Sequence, residues 1–268
     1  MTFFKWVAAA LTVAAALVSH SQPAAAQTVL ITGANTGIGL EFAREYAARS
    51  WTVIATHHRP ETPAELAQLA SRYKNVRVEK MDVSRQDEID ALAAKLKAVP
   101  IDVLINNAGV YFKAGAPASQ DFGRFDYALF DTIMAVNVRG PLMVMEAFAS
   151  NVKASHQRKF VAISSTVGSL TQPFPGTGAL FYRTSKAALN KEMQVLAQVL
   201  QPSGITVAMI HPGQVRTERL ISLAPEVSTS KDYMDAAESV GRMIPTIDKL
   251  TLADSGHFMR YDGVLLPF

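Results

Sequence analysis

The chain has 268 residues, 49% of them hydrophobic and 18% charged, with a net charge of +3 and no cysteine. That balance excludes an intrinsically disordered chain, and the missing cysteines exclude disulfides, thiolate catalysis and Cys-ligated metal. The basic residues are scattered, with no Lys/Arg run of the kind that forms a nucleic-acid arm.

The N-terminal segment stands apart. "MTFFK" carries one positive charge, Trp6 to Val18 is apolar except for Thr12, and Ala24-Ala25-Ala26 supply small residues at a cut site. These are the parts of a secretory signal peptide. The 13-residue apolar run is short of the roughly 17–25 residues that a membrane span needs. The expectation is a signal peptide over residues 1–26 and an exported, periplasmic protein. A retained membrane anchor, or a cytoplasmic protein, is the alternative. The leader carries no twin arginine, so nothing in it points to export already folded around a cofactor.

From Gln27 onward, short Val/Ile-rich runs alternate with amphipathic stretches. Strands are predicted at "TVLITG", "WTVIAT", "VRVEKMDV", "DVLINNAG", "KFVAISS" and "ITVAMIHPG". Helices are predicted over 39–50, 63–73, 85–99, 126–155 and 182–201. Continuous apolar strands alternating with helices imply a parallel sheet covered on both faces. The fold class is therefore α/β: a Rossmann-type doubly wound parallel sheet of about seven strands. No Pro/Gly-rich linker divides residues 27–268, so one domain is expected. The irregular stretches 112–124, 170–180 and 220–230 follow strand ends, where such sheets bind ligands.

"TGANTGIG", Thr32 to Gly39, follows the first strand and opens the first helix. Glycines there let the backbone approach a pyrophosphate, and the helix N-terminus offers N–H donors and partial positive charge. At the end of the second strand an acid would bind the 2′-hydroxyl of NAD, and a base the 2′-phosphate of NADP. The stretch reads "THHRPE", with no acid from Thr56 to Pro60. Arg59, helped by His58, is therefore expected to face a 2′-phosphate, which favours NADP(H) over NAD(H). Adjacent strand residues point to opposite faces, so His57 and His58 are not expected to share a metal. Farther on, "FYRTSKAALN" places Tyr182 four residues before Lys186, one helical turn apart on a shared face. A cation there would favour the phenolate and lower the phenol's pKa.

Seven motifs occur in one order: "TGANTGIG", "MDV", "NNAG" (Asn106 to Gly109), "NVRG" (Asn137 to Gly140), "ISS", "YRTSK" and "HPGQVRT". In this the sequence resembles the short-chain dehydrogenase/reductase family over nearly all of residues 27–268. The tail "SGHFMRYDGVLLPF" is similar to that of the small carbonyl reductases related to the sniffer and C-factor proteins. The resemblance implies an NAD(P)(H)-dependent oxidoreductase that moves a hydride between nicotinamide and a carbonyl or alcohol carbon, with no metal. Its catalytic set is Asn137, Ser165, Tyr182 and Lys186. Tyr182 protonates the carbonyl oxygen and Ser165 hydrogen-bonds it. Ser164 is the rival serine, less favoured because Ser165 stands three before Gly168 in an S-x-x-G pattern. The implied cofactor contacts are Gly33, Asn35, Thr36, Gly37, Ile38 and Gly39 in the loop, Asp82 and Val83 at the adenine, and Asn107, Ala108 and Gly109 after the fourth strand. Tyr182 and Lys186 add to these, and Pro212, Gly213, Val215 and Thr217 wrap the nicotinamide. A homodimer or homotetramer built on the helices of Asn137 and Tyr182 is also implied. Two departures stand out: Thr36 occupies a place where relatives carry Arg, and the spacing from Ser165 to Tyr182 is long, as if a loop were inserted.

Pro141 adds a physical reason for Asn137. It has no N–H to give the carbonyl of residue 137, so that carbonyl is expected to be free to hold a water serving Lys186. The alternative to an enzyme is a Rossmann protein that senses a nucleotide without turnover.

Overall fold

A computed structural model of the chain describes residues 26–111, 120–172, 176 and 178–268. The leader up to Ala25 and parts of the irregular stretches 112–124 and 170–180 lie outside the described residues. The strands are β1 (Thr28–Ile31), β2 (Thr52–His57), β3 (Val76–Lys80), β4 (Val103–Asn106), β5 (Lys159–Ile163), β6 (Thr206–His211), β7 (Val215–Arg216), β8 (Met234–Asp235) and β9 (Phe258–Arg260). The helices are α1 (Gly37–Ala48), α2 (Ala64–Arg72), α3 (Gln86–Lys95), α4 (Tyr127–Met134), α5 (Gly140–Lys153), α6 (Leu180–Leu200), α7 (Glu218–Leu223) and α8 (Ala236–Lys249).

Seven strands form one sheet in the order β3-β2-β1-β4-β5-β6-β9, with every adjacent pair parallel. The chain fills the sheet outward from β1 to β3, then returns to β4 on the other side of β1. That reversal leaves a crevice at the carboxyl ends of β1 and β4. Side chains alternate across each strand. Val29 and Ile31 pack with Phe42, Tyr46 and Val240, while Leu30 packs with Leu104, Phe148 and Met193. Both faces are covered, so all four residues of β1 are buried and its sequence is apolar throughout.

The last quarter of the chain holds what the sequence pattern did not predict. In α8, Val240, Met243, Ile244 and Ile247 are buried at the spacing of one helix face. Gly241 and Pro245 interrupt that pattern in the sequence; the proline is carried inside the helix. The seventh strand, β9, has only three residues, too few for an alternation to show.

The stretch expected as one helix over 126–155 is α4 and α5 joined by a π-helical turn, Ala135–Arg139. Gly140 N–H bonds back to the carbonyl of Ala135, one residue beyond the α-helical partner. Pro141, at the start of α5, cannot donate to the carbonyl of Asn137. The wide turn absorbs that missing bond, and π-turns of this kind are frequent at functional sites.

Candidate active site

A crevice of about 840 Å³ opens at the switch point. From the first loop, Gly33, Asn35, Thr36, Gly37, Ile38 and Gly39 line it. The loop is drawn in tightly. A Cβ on Gly33, at φ +64, would stand 2.9 Å from Ala108 Cα, and one on Gly37, at φ +55, 3.2 Å from Thr217 Cγ2. One on Gly39 would overlap Asn107 Nδ2 and the carbonyl oxygen of Gly33. Asn107 braces the turn: its Nδ2 donates to the carbonyls of Thr32 (2.9 Å) and Gly33 (3.0 Å). Backbone N–H groups of Asn107 and Ala108 each donate to Thr32 Oγ1 at 3.0 Å.

His58 and Arg59 reach the crevice from the end of β2, and both are exposed. Asp82 and Val83 line it after β3, and Asn107, Ala108 and Gly109 after β4. The Asp82 carboxylate accepts from Ser84 N–H at 2.9 Å and Ser84 Oγ at 2.7 Å, which orients it. From the far side, Thr217 lines the crevice and starts α7, accepting from Leu220 N–H at 3.2 Å. Arg219 lies two residues on and also lines it. Burial and then nearby Arg59 lower its pKa. Arg219 is a cation that the end of β2 does not announce, though "VRTER" shows it in the sequence. Pro212, Gly213 and Val215, expected to wrap the nicotinamide, lie outside the lining of this crevice, as do Ser165, Tyr182 and Lys186. The Pro212 carbonyl accepts from Ser239 Oγ at 2.7 Å, Gly213 packs against Met234 and Tyr261, and Val215 pairs with Met234. They shape the segment that carries Thr217.

The crevice fits a dinucleotide. Thr36 precedes α1 without a capping side chain, so the orphan N–H groups of the first turn remain for an anion. Backbone rather than bulky side chains forms the floor, and two guanidinium groups line it, Arg59 after β2 and Arg219 on α7.

The four expected catalytic residues do not line the crevice themselves; they are joined to it through Val110, which does and which Asn137 holds. Asn137 Nδ2 donates to the carbonyl of Val110 (2.8 Å) and to Ser185 Oγ (3.0 Å), and its Oδ1 accepts from Val110 N–H at 2.7 Å. The side chain thus ties the π-turn to both the β4 loop and α6. Ser165 faces the Tyr182 phenol closely enough to favour its ionised form, against the larger effect of burial. Ser164 is turned inward and buried, its Oγ donating to Asn190 Oδ1 at 2.6 Å. The doublet therefore divides: one serine faces Tyr182 and the other the core. Gly168 has a steric reason to be glycine, since a Cβ there would sit 2.6 Å from the Lys186 backbone. Lys186 is buried, with Nζ 5.7 Å from the Tyr182 ring centre and donating to the Ile163 carbonyl at 2.8 Å.

The electrostatics correct one expectation. Lys186 was expected to lower the Tyr182 pKa. In the structure that pKa is raised: burial dominates, Tyr111 adds to it, and Ser165 opposes. Tyr182 keeps some exposed surface, yet protein surrounds it densely enough for desolvation to win. The same burial brings Lys186 down to about 8, so the amine gives up part of the charge assigned to it.

Comparison with known proteins agrees with this geometry. The family model for short chain dehydrogenases matches residues 27–228. The chain belongs to that family. An uncharacterized oxidoreductase of Schizosaccharomyces pombe is 32% identical over 252 residues, covering 89% of this chain and 96% of the relative. The NADPH-bound carbonyl reductase from chicken fatty liver superposes with a TM-score of 0.80 at 30% identity, covering 91% of this chain and 99% of that one. The carbonyl reductase Sniffer of Drosophila melanogaster gives 0.78 at 28% identity, covering 91% and 100%. This family member is an oxidoreductase that transfers a hydride between nicotinamide and a carbonyl or alcohol carbon, rather than a nucleotide sensor.

Proposed function

We propose that the chain is an NADP(H)-preferring carbonyl reductase in which Tyr182 is the general acid and base. The observation that carries this is buried Lys186 Nζ, 5.7 Å from the Tyr182 ring centre, with Ser165 facing the same phenol and a crevice that fits a dinucleotide joined to them through Val110 and Asn137. The cofactor supplies or takes up the hydride. In the reducing direction Tyr182 gives its proton to the carbonyl oxygen while Ser165 donates a hydrogen bond to that atom, stabilising its developing negative charge. Burial makes that phenol a weaker acid, so the transfer draws on Ser165 and on the Lys186 cation to stabilise the charge that develops. Asn137 holds the β4 loop against α6, and its carbonyl, which Pro141 cannot bond, is proposed to hold a water that returns protons by way of Lys186.

Support for NADP(H) is the pair Arg59 and Arg219 with no acid at the end of β2, together with the NADPH-bound relative. Residues 1–26 are proposed to direct export, with a homo-oligomer as the working form; the mass of the mature chain and its size in solution check these. The central test is NADPH oxidation by the purified protein with a panel of aldehydes and ketones, beside Tyr182→Phe. Loss of a proton donor is expected to lower turnover by about 10²–10⁴-fold while NADPH affinity stays within about twofold. Equal turnover in the variant would remove the proposal.

A further inference from the structure

Helix α6 carries both Tyr182 and Lys186, yet its start is poorly provided for. The preceding residue, Ala179, sits in the left-handed region at φ 61 and has no side chain able to cap. The first-turn N–H groups need partners from elsewhere. One comes from 62 residues away: Tyr182 N–H donates to Gln120 Oε1 at 3.0 Å. The other end of the same amide donates from Nε2 to the carbonyl of Tyr111 at 2.7 Å. Gln120 is fully buried, and its amide spends a donor and an acceptor on two backbones that both bear an aromatic ring of the site. Those rings meet edge to face, with centres 4.4 Å apart and planes at 89°.

We propose that Gln120 is a positioning residue for the hydride-transfer reaction, clasping the backbone of Tyr111 to that of Tyr182 and so setting where the Tyr182 hydroxyl stands. The amide is chemically specific for this job, because one planar group must accept on one side and donate on the other. With the clasp closed, the Tyr111 ring stays against Tyr182, keeps water from it and limits the directions its hydroxyl can take. Misplacement of a reacting group by about 1 Å can cost about 10²-fold in rate, so one clasp matters to the chemistry more than to the fold. The inference rests on Tyr182 being the proton donor.

A test that needs no substrate is NMR of the full protein carrying ¹³Cζ-tyrosine, with the Tyr182 signal assigned from Tyr182→Phe. In Gln120→Ala the Tyr182 signal is expected to move and its pKa to fall by about one unit, a tenfold change in ionisation constant, as water reaches the ring. NADPH affinity should stay within about twofold. Gln120→Glu keeps the acceptor for Tyr182 N–H but, once ionised, loses the donor to Tyr111. Helix α6 stays capped, so this variant carries the test if the alanine variant does not fold, and its Tyr182 signal should move as well. A Tyr182 titration unchanged from wild type in either folded variant overturns the clasp and leaves the acid–base reading standing. Undiminished turnover in Tyr182→Phe overturns the acid–base reading, whatever the NMR shows.

Discussion

At the glycine loop the backbone itself lines the crevice, whereas around Tyr182 the working surface is made of packed side chains. Gly33, Gly37 and Gly39 create space by having no Cβ, and the side chains that face it from β2, His58 and Arg59, remain in contact with solvent. Ser165, Tyr182 and Lys186 stand in a setting dense enough that desolvation, rather than charge pairing, governs both titrating groups. The first region is built for affinity and tolerates water. The second is built to hold a phenol neutral beside a weakened amine, so its chemistry depends on what the surrounding shell excludes.

The sharpest way to break this contrast is at the serine doublet. Ser165→Ala is expected to lower kcat by about 10²–10³-fold, the usual effect of losing one donor to a developing oxyanion. Ser164→Ala should instead cost about 1 kcal/mol of stability, through its lost bond to Asn190, with kcat nearly unchanged. Steady-state kinetics and thermal melts on the two variants separate these outcomes. Equal kcat values would mean that the buried serine also serves the reaction. Next in size is Gly39→Ala. The added methyl collides with Asn107 and the Gly33 carbonyl, so a loss of about 1–3 kcal/mol in stability and of NADPH binding is expected, read by melting and fluorescence titration. If the variant binds NADPH as wild type does, the close approach is not what shapes the cradle.

A smaller effect is expected at the solvent-facing end. Arg59→Ala should weaken NADPH binding about tenfold, or about 1.4 kcal/mol, and leave NADH alone; calorimetric titration of both cofactors checks it. A parallel loss for NADH would move Arg59 from the 2′-phosphate to the pyrophosphate. The smallest effect lies away from the reaction. Glu192, on α6, has a buried oxygen with no hydrogen-bond partner, and burial raises its pKa from 4.5 to about 7. The folded chain therefore binds more protons than the unfolded one between those values, and stability falls as pH rises through that window. Glu192→Gln should raise Tm, with a gain that is larger at pH 8 than at pH 5. A gain independent of pH would mean that the carboxyl is solvated.

Much of this molecule could be read from its sequence. Strand–helix alternation specified a doubly wound sheet because a strand buried on both faces has to be apolar throughout. Glycine spacing located the cradle because only a missing Cβ permits those approaches, and the i,i+4 spacing placed Tyr182 and Lys186 on one turn. Pro141 announced a break at Asn137 because it has no N–H, whatever surrounds it. These are local properties of the chain. Tertiary structure alone decided that Ser164 of the doublet turns into the core, that Arg219 lines the same crevice as Arg59, and that Gln120 caps a helix 62 residues away. It also reversed the direction of the Tyr182 shift. Burial and long-range partners are set by how distant segments pack, and desolvation outweighs a neighbouring charge only once that packing is complete.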